Sequence, residues 1–72
     1  MHRLIEKLAR ETIAVHLSDG TSLKGVLVAV HGDCIVLESA VTLTEEGHVP
    51  IDGQAVLPRA KIAWLQRLIP EA

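Results

Sequence analysis

Residues 13–39 read IAVHLSDGTSLKGVLVAVHGDCIVLES, a stretch in which three apolar segments are separated by two polar turns. The first segment, 13–17, has large apolar side chains at every second position, the period expected of a half-buried strand. Asp19-Gly20 is typical of a hairpin turn, because Gly accepts a positive φ and Asp bonds to its own backbone. A second turn falls at 31–33. The stretch therefore predicts an antiparallel three-stranded meander, the front half of a small barrel.

The chain is short and strongly apolar, with 72 residues of which 49% are hydrophobic. A domain of this size buries only about 60% of the surface that its unfolded chain exposes. The apolar content is therefore larger than a monomeric core needs, and large exposed apolar patches mark interfaces. We predict one domain, residues 1–72, that associates with copies of itself.

Charge and aromatic content limit the functions that are compatible with this sequence. Trp64 is the only aromatic residue, which disfavours a surface that stacks several bases. The net charge of −2 argues against strong, general binding to phosphate. The single cysteine, Cys34, excludes an internal disulfide and favours a reducing, cytoplasmic setting. No apolar run is long enough to cross a bilayer or to act as a signal peptide, so we expect no membrane partner.

The remaining pattern completes a mainly β fold. The spacing of apolar residues predicts a short amphipathic helix over 2–10, packed over an open end of the barrel. Strands are predicted at 12–17, 22–30, 34–43, about 49–57 and 61–68, followed by a tail at 69–72. Gly25 lies inside the second strand and predicts a sharp bend. Pro50 places the fourth strand at an edge, and Asp52-Gly53 predicts a turn or bulge within it.

Alternation along the last strand assigns its side chains to two faces. It places Ile62, Trp64 and Gln66 on one face, and Ala63, Leu65 and Arg67 on the other. His16 alternates outward on the first strand. We expect Trp64 to be an anchor in the core or in a subunit interface, with base stacking as the alternative.

Two motifs resemble those of the Sm-like family, which includes the bacterial Hfq proteins. The segment V15-H-L-S-D19-G20-T-S-L23-K-G25-V-L27 fits the family's first motif, and V56-L-P-R59-A-K-I62-A-W-L65 looks like the second. The resemblance covers residues 3–68. It implies a short N-terminal α-helix followed by a strongly bent, five-stranded antiparallel barrel of SH3-like type. It also implies a homo-oligomeric ring of roughly five to seven subunits, in which strand 4 of one subunit pairs with strand 5 of the next.

The resemblance further implies a module for short single-stranded RNA, bound at the turns between strands 2 and 3 and strands 4 and 5. The family's usual Asp and base-contacting Asn fall here on His31 and Ile35, and the second of these is also apolar in the Hfq branch. The Arg of the Sm branch falls on Pro58, and the Lys-His pair of the Hfq branch falls on Arg59 and Ala60. The candidate RNA-binding residues are His31, Asp33, Arg59, Lys61, Arg3 and Lys7. The candidate interface residues are Val56, Leu57, Ile62, Trp64 and Leu65.

Each of these sites has an alternative interpretation. The turn with His31, Asp33 and Cys34 is an RNA contact, a metal site shared between subunits, or a solvated hairpin with a buried thiol; its spacing is not that of a zinc site. Arg59 and Lys61 are phosphate contacts or surface cations. The cations at the N-terminus, Arg3, Lys7 and Arg10, are a basic rim or the solvated side of a helix.

The alternative function is a structural or adaptor ring, such as a phage or mobile-element assembly part, that binds protein and not RNA. The acidic body, the lack of aromatic residues and the missing base-contacting Asn favour it. We expect no enzyme and no cofactor, because the sequence lacks a nucleophile elbow, a phosphate loop and a paired-carboxylate signature.

Overall fold

The computed structural model of the chain describes Ile5, Leu8 and residues 10–68. Its strands are β1 (Thr12–Leu17), β2 (Ser22–Val30), β3 (Cys34–Thr44), β4 (Gly47–Pro50), β5 (Ala55–Pro58) and β6 (Ile62–Arg67). A single 3-10 turn, Arg59–Lys61, joins β5 to β6. The fold is mainly β, as predicted, and the first three strands lie where the hairpin signals place them.

The strands form one antiparallel, bent sheet in the order β4-β3-β2-β1-β6. The strand predicted at 49–57 is two strands, because residues 51–54 leave the sheet around Gly53, whose φ is +72°. β4 pairs with the second half of β3 and β5 with its first half, so both lie on the same side of that long strand. The predicted turn or bulge at 52–53 and the edge position of Pro50 are thus confirmed, and the count of five strands is corrected to six.

The sheet bends where Gly25 faces β3. Between Lys24 and Val26 the β2–β3 register shifts, and β3 inserts two residues, Ser39 and Ala40, opposite the glycine. Ser39 takes a φ of +51°, unusual for a residue with a Cβ atom. A Cβ atom at Gly25 would lie 3.1 Å from the Cα and Cβ of Ala40. Glycine is therefore favoured here by the close approach of the two strands, as the sequence predicts.

The core lies inside the bend and is wholly apolar among the described residues. Its fully buried members come from three strands and lie on the inner face of the sheet: Ile13, Val15, Leu27, Ile35 and Leu37. Ile5 and Leu8 are buried against the same cluster. Burying a side chain of this type contributes about 1.5–3 kcal/mol, so this cluster supplies much of the domain's stability.

Strand β6 contains an irregularity that alternation alone does not predict. Leu17 pairs with Ile62 but His16 pairs with Trp64, so Ala63 is one extra residue opposite β1. This bulge shifts the alternation by one residue. Ile62 and Leu65 consequently both pack against the core, whereas Trp64 lies on the outer face. The predicted grouping of Ile62 with Trp64 is therefore wrong.

The N-terminal helix is not borne out, since the described residues define no α-helical element. Most of the predicted helix, 2–10, lies outside those residues, as does the predicted tail at 69–72. Of this segment, Ile5 and Leu8 are buried, and the Leu8 N–H donates to the Ile5 carbonyl at 3.0 Å. In the described part of the chain no helix reaches the length and apolarity needed to span a membrane.

Candidate functional site

The two turns singled out in the sequence meet at one end of the sheet. The Arg59 N–H donates to the Asp33 carbonyl at 2.9 Å, which links the 31–33 turn to the 3-10 turn after β5. The 31–33 turn is itself closed by the His31 N–H, which donates to the Cys34 carbonyl at 2.8 Å. The side chains of His31, Asp33 and Lys61 are all exposed. Four of the six candidate RNA-binding residues are thus brought together.

Arg59 is held differently from its neighbours in this site. Its side chain is half-buried and lines a cavity of about 60 Å³ with Ile5, Ile62 and Leu65. Its Nε and Nη2 atoms are buried and have no hydrogen-bond partner among the described residues. A charged donor in apolar surroundings without an acceptor is unfavourable by several kcal/mol. Two of the three guanidinium nitrogens thus face apolar side chains rather than solvent.

The other residues of the first turn have simpler roles. Ile35, at the position of the family's base-contacting Asn, is fully buried in the core. Cys34 is half-buried rather than buried, with a free thiol. Within the described ranges no three His, Cys, Asp or Glu side chains converge on a point that would hold a metal ion.

Of the cations predicted at the N-terminus, Arg10 is the one that the structure describes. Arg3 and Lys7, two of the candidate RNA-binding residues, lie outside the described residues. Arg10 is exposed with a φ of +68°, and its N–H donates to the Leu27 carbonyl at 2.6 Å. This backbone bond fixes the point at which the chain enters β1.

A groove of about 420 Å³ lies beside the meeting point of the turns, between the β1–β2 hairpin and the 3-10 turn. Its lining is Leu17, Ser18, Asp19, Pro58 and Lys61. The Ser18 N–H donates to the Lys61 carbonyl at 2.8 Å and sets the width of the groove. The Thr21 N–H donates to Oδ1 of Asp19 at 2.8 Å, and the bonds from Thr21 hold the pKa of the Asp19 carboxyl below its usual value. Asp19 is thus an anion on one rim, facing the Lys61 cation on the other.

An aromatic stack on the outer face was not predicted from the sequence. The rings of His16 and Trp64 are stacked, with centroids 3.8 Å apart and planes 13° from parallel. The imidazole Nδ1 lies 2.8 Å from Ser22 Oγ, and Nε2 lies 3.3 Å from Gln66 Oε1. Trp64 remains 53% exposed, so its predicted place in the core is wrong. Alternation could not reveal the stack because the bulge at Ala63 decides which face the indole occupies.

Among the described residues, strand β5 pairs only with β3, so its other edge is free. In antiparallel strands, hydrogen-bonded residue pairs alternate with pairs that are not bonded to each other. The bond from Arg59 to Asp33 makes their pair a bonded one, so the Val36/Val56 pair is not bonded. The N–H and C=O of Val56 therefore point to the free edge, and its side chain is 60% exposed.

In the part of the chain that the structure describes, strand β6 pairs only with β1 and supplies the second free edge. The Leu68 N–H donates to the Thr12 carbonyl at 3.2 Å, and the same alternation leaves the Val15/Leu65 pair without mutual bonds. The backbone polar groups of Leu65 thus point to solvent. The candidate interface residues Leu57, Ile62 and Leu65 turn their side chains into the core and offer only backbone to a partner.

Comparison with solved structures identifies the fold. The P. aerophilum SmAP1 heptamer matches with a TM-score of 0.87 and 14% identity, covering 97% of this chain and 95% of that one. A heptameric archaeal Sm protein matches with a TM-score of 0.83 and 15% identity, covering 93% and 98%. The Sm protein of Pyrococcus abyssii, solved in complex with a uridine heptamer, matches with a TM-score of 0.82 and 18% identity, covering 92% and 94%. At these identities the likeness is one of fold.

No protein-family model and no curated protein matches the sequence.

Proposed function

We propose that this chain, whose fold is the Sm-like fold, works as a homo-oligomeric ring that binds short single-stranded RNA. The observation that carries the proposal is the hydrogen bond between Arg59 and Asp33, which joins the two turns. It gathers donors and cations at one end of each subunit, where a ring repeats them around its axis. A protein of the same fold has been solved with a uridine heptamer.

The ring follows from the two free edges. Unpaired strand edges are sites of pairing with another chain, and closure into a ring removes them. We infer that β5 of one subunit pairs with β6 of the next, through the backbone of Val56 and Leu65. Because the two edges differ, the contact is head-to-tail, and a series of such contacts closes on itself by forming a ring. Two proteins of this fold are heptamers, so the expected mass is seven times 7.8 kDa.

The chemistry of the two turns favours contact with the RNA backbone. Arg59 and Lys61 supply charge to phosphate, and the His31 imidazole is a hydrogen-bond donor or acceptor. Asp33 offers an acceptor to a ribose hydroxyl. Ile35 is buried and reads no base. Binding should therefore weaken as salt rises, since phosphate contacts release counterions.

Arg3 and Lys7 remain proposed assistants of this site. The alternative prediction, a ring that binds protein and not RNA, is not supported by the comparisons.

An initial test is the mass of the untagged protein by light scattering on a sizing column, with absorbance read at 260 and 280 nm. A ring mass with co-purifying nucleic acid is the expected result.

Arg59→Ala is the variant that tests the RNA site. It removes the guanidinium together with a side-chain stem that lines the cavity with Ile5, Ile62 and Leu65, so the ring mass and the Tm are measured beside the affinity. A charged hydrogen bond contributes about 1.5–3 kcal/mol, which predicts at least a tenfold loss of affinity for oligouridylate. Fluorescence anisotropy with labelled RNA measures the affinity, and the slope of log K against log salt should also become shallower.

Arg67→Ala is the matched control. Arg67 bonds Glu11 at 2.9 Å on the surface, at the other end of β6 from the turns. Its loss should leave RNA affinity unchanged. If the Arg59→Ala ring binds RNA as tightly as the wild type, Arg59 is not part of the site.

A further inference from the structure

The groove beside the turns has the dimensions and chemistry of a ligand site. Its volume of about 420 Å³ lies in the range typical of small-molecule pockets, about 300–1,000 Å³. Leu17 and Pro58 give it apolar walls, while Lys61 places a cation on one rim and Asp19 an anion on the other. An anionic group entering the groove is therefore drawn to the Lys61 side and repelled from the hairpin.

Along the chain, the residues of the aromatic stack are close to the residues that line this groove. His16 precedes the groove residue Leu17, and Trp64 lies three residues after Lys61, which sets an upper limit of about 10 Å on the span between them. That is close to the distance from the phosphate of a nucleotide to the far edge of its base. The imidazole is fixed by Ser22 and Gln66, so it holds the indole in place while half of the indole surface stays open.

We propose that the groove and the stack form a nucleotide subsite for single-stranded RNA, with the phosphate at Lys61 and the base stacked on Trp64. The subsite rests on the proposed function, since it receives RNA that leaves the joined turns. It adds to that function a contact that tolerates any base, because every base has a flat face.

A neighbouring subunit is the competing occupant of the indole surface. The indole, however, leans on His16 of its own β1, over the face of the sheet, rather than beyond the free edge of β6. The pairing groups at that edge are backbone atoms. The ring is therefore expected to form without Trp64, contrary to its predicted role as an interface anchor.

Intrinsic fluorescence tests the subsite directly. Trp64 is the only tryptophan and the chain has no tyrosine, so the emission comes from the stack alone. Adding oligoadenylate or oligouridylate of about ten nucleotides, within the usual range of single-strand sites, should quench it. The quenching midpoint should equal that of anisotropy measured on the same RNA.

Variants complete the test. Stacking on one aromatic side chain contributes about 1–3 kcal/mol per base, so Trp64→Leu should weaken binding about five- to a hundredfold without changing the ring mass. Lys61→Gln should weaken binding and reduce the salt slope. Lys24→Gln removes a half-buried cation that is not part of the groove lining, and it should have no effect.

Three outcomes would overturn the subsite. If RNA binds the wild-type ring without changing the Trp64 emission, and binds Trp64→Leu as tightly as the wild type, the subsite does not exist and the proposed function still stands. A lower mass for Trp64→Leu makes Trp64 an interface anchor instead. A wild-type ring that binds neither oligoadenylate nor oligouridylate overturns the proposed function, and the subsite with it.

Discussion

Val56→Pro is expected to convert the ring into folded monomers. The Val56 N–H points to the free edge of β5, so a proline there removes a donor to the next subunit and no bond to β3. Pro58 shows that this strand accepts proline two residues later, with a φ of −65°. Each subunit uses this edge once, so a single change acts on every interface of the ring.

Light scattering and circular dichroism measure the two parts of this prediction. The mass should fall from a ring to 7.8 kDa, while the β signal is retained. RNA affinity should fall with it, because a monomer presents one set of turns instead of a repeated set. Val56→Thr keeps both the N–H and the branched side chain, and should remain a ring. A Val56→Pro protein that keeps the ring mass would show that β5 is not the interface.

Gly25→Val is expected to destabilise the domain strongly and to lower its Tm. Even the first added carbon would lie 3.1 Å from Ala40 Cα, Ala40 Cβ and the Glu38 carbonyl oxygen. Two of these atoms are backbone, so they cannot turn aside. Overpacking typically costs 1–3 kcal/mol, and a domain of this length has about 4–11 kcal/mol of stability in total.

Gly25→Ala gives the graded version of this experiment. A loss of about 2 kcal/mol should lower the Tm by about 8–16 °C, measured by circular dichroism at matched protein concentration. Gly32→Ala is the control, because a Cβ atom there meets nothing within 4 Å. It should leave the Tm nearly unchanged. Equal Tm values for the two alanine variants would show that the bend does not need glycine.

The local features of the fold could be predicted from the sequence. Alternation and turn residues predict β1, β2 and β3 because each signal acts between neighbours in the chain, and Gly25 predicts the bend because glycine inside a strand has few other roles. The split of the fourth strand into β4 and β5 was predicted only as a turn or bulge. The bend of β3, which places both pieces along one strand, is a tertiary feature.

The site was less predictable. The resemblance implied that the 31–33 turn and Arg59 both contact RNA, but not that they are hydrogen-bonded to each other. The direction of the Arg59 side chain depends on Ile5, Ile62 and Leu65, which come from distant parts of the chain. The aromatic stack depends on the register between β1 and β6. A register shift has no signal in a single sequence, because the residue that bulges, Ala63, fits a regular strand equally well.

The extra residue in β6, Ala63, reverses which of the following side chains face inward and which face outward. Ile62 faces inward before Ala63, and Leu65 faces inward after it. Both aliphatic side chains therefore reach the interior, while the indole of Trp64 between them is turned outward. A regular strand of the same residues would exchange inner for outer positions from Trp64 onward, whereas deleting Ala63 would remove the bulge and leave Trp64 outside and Leu65 inside. What this edge of the molecule displays to its surroundings therefore depends on the register of β6 with β1 as much as on the composition of the strand.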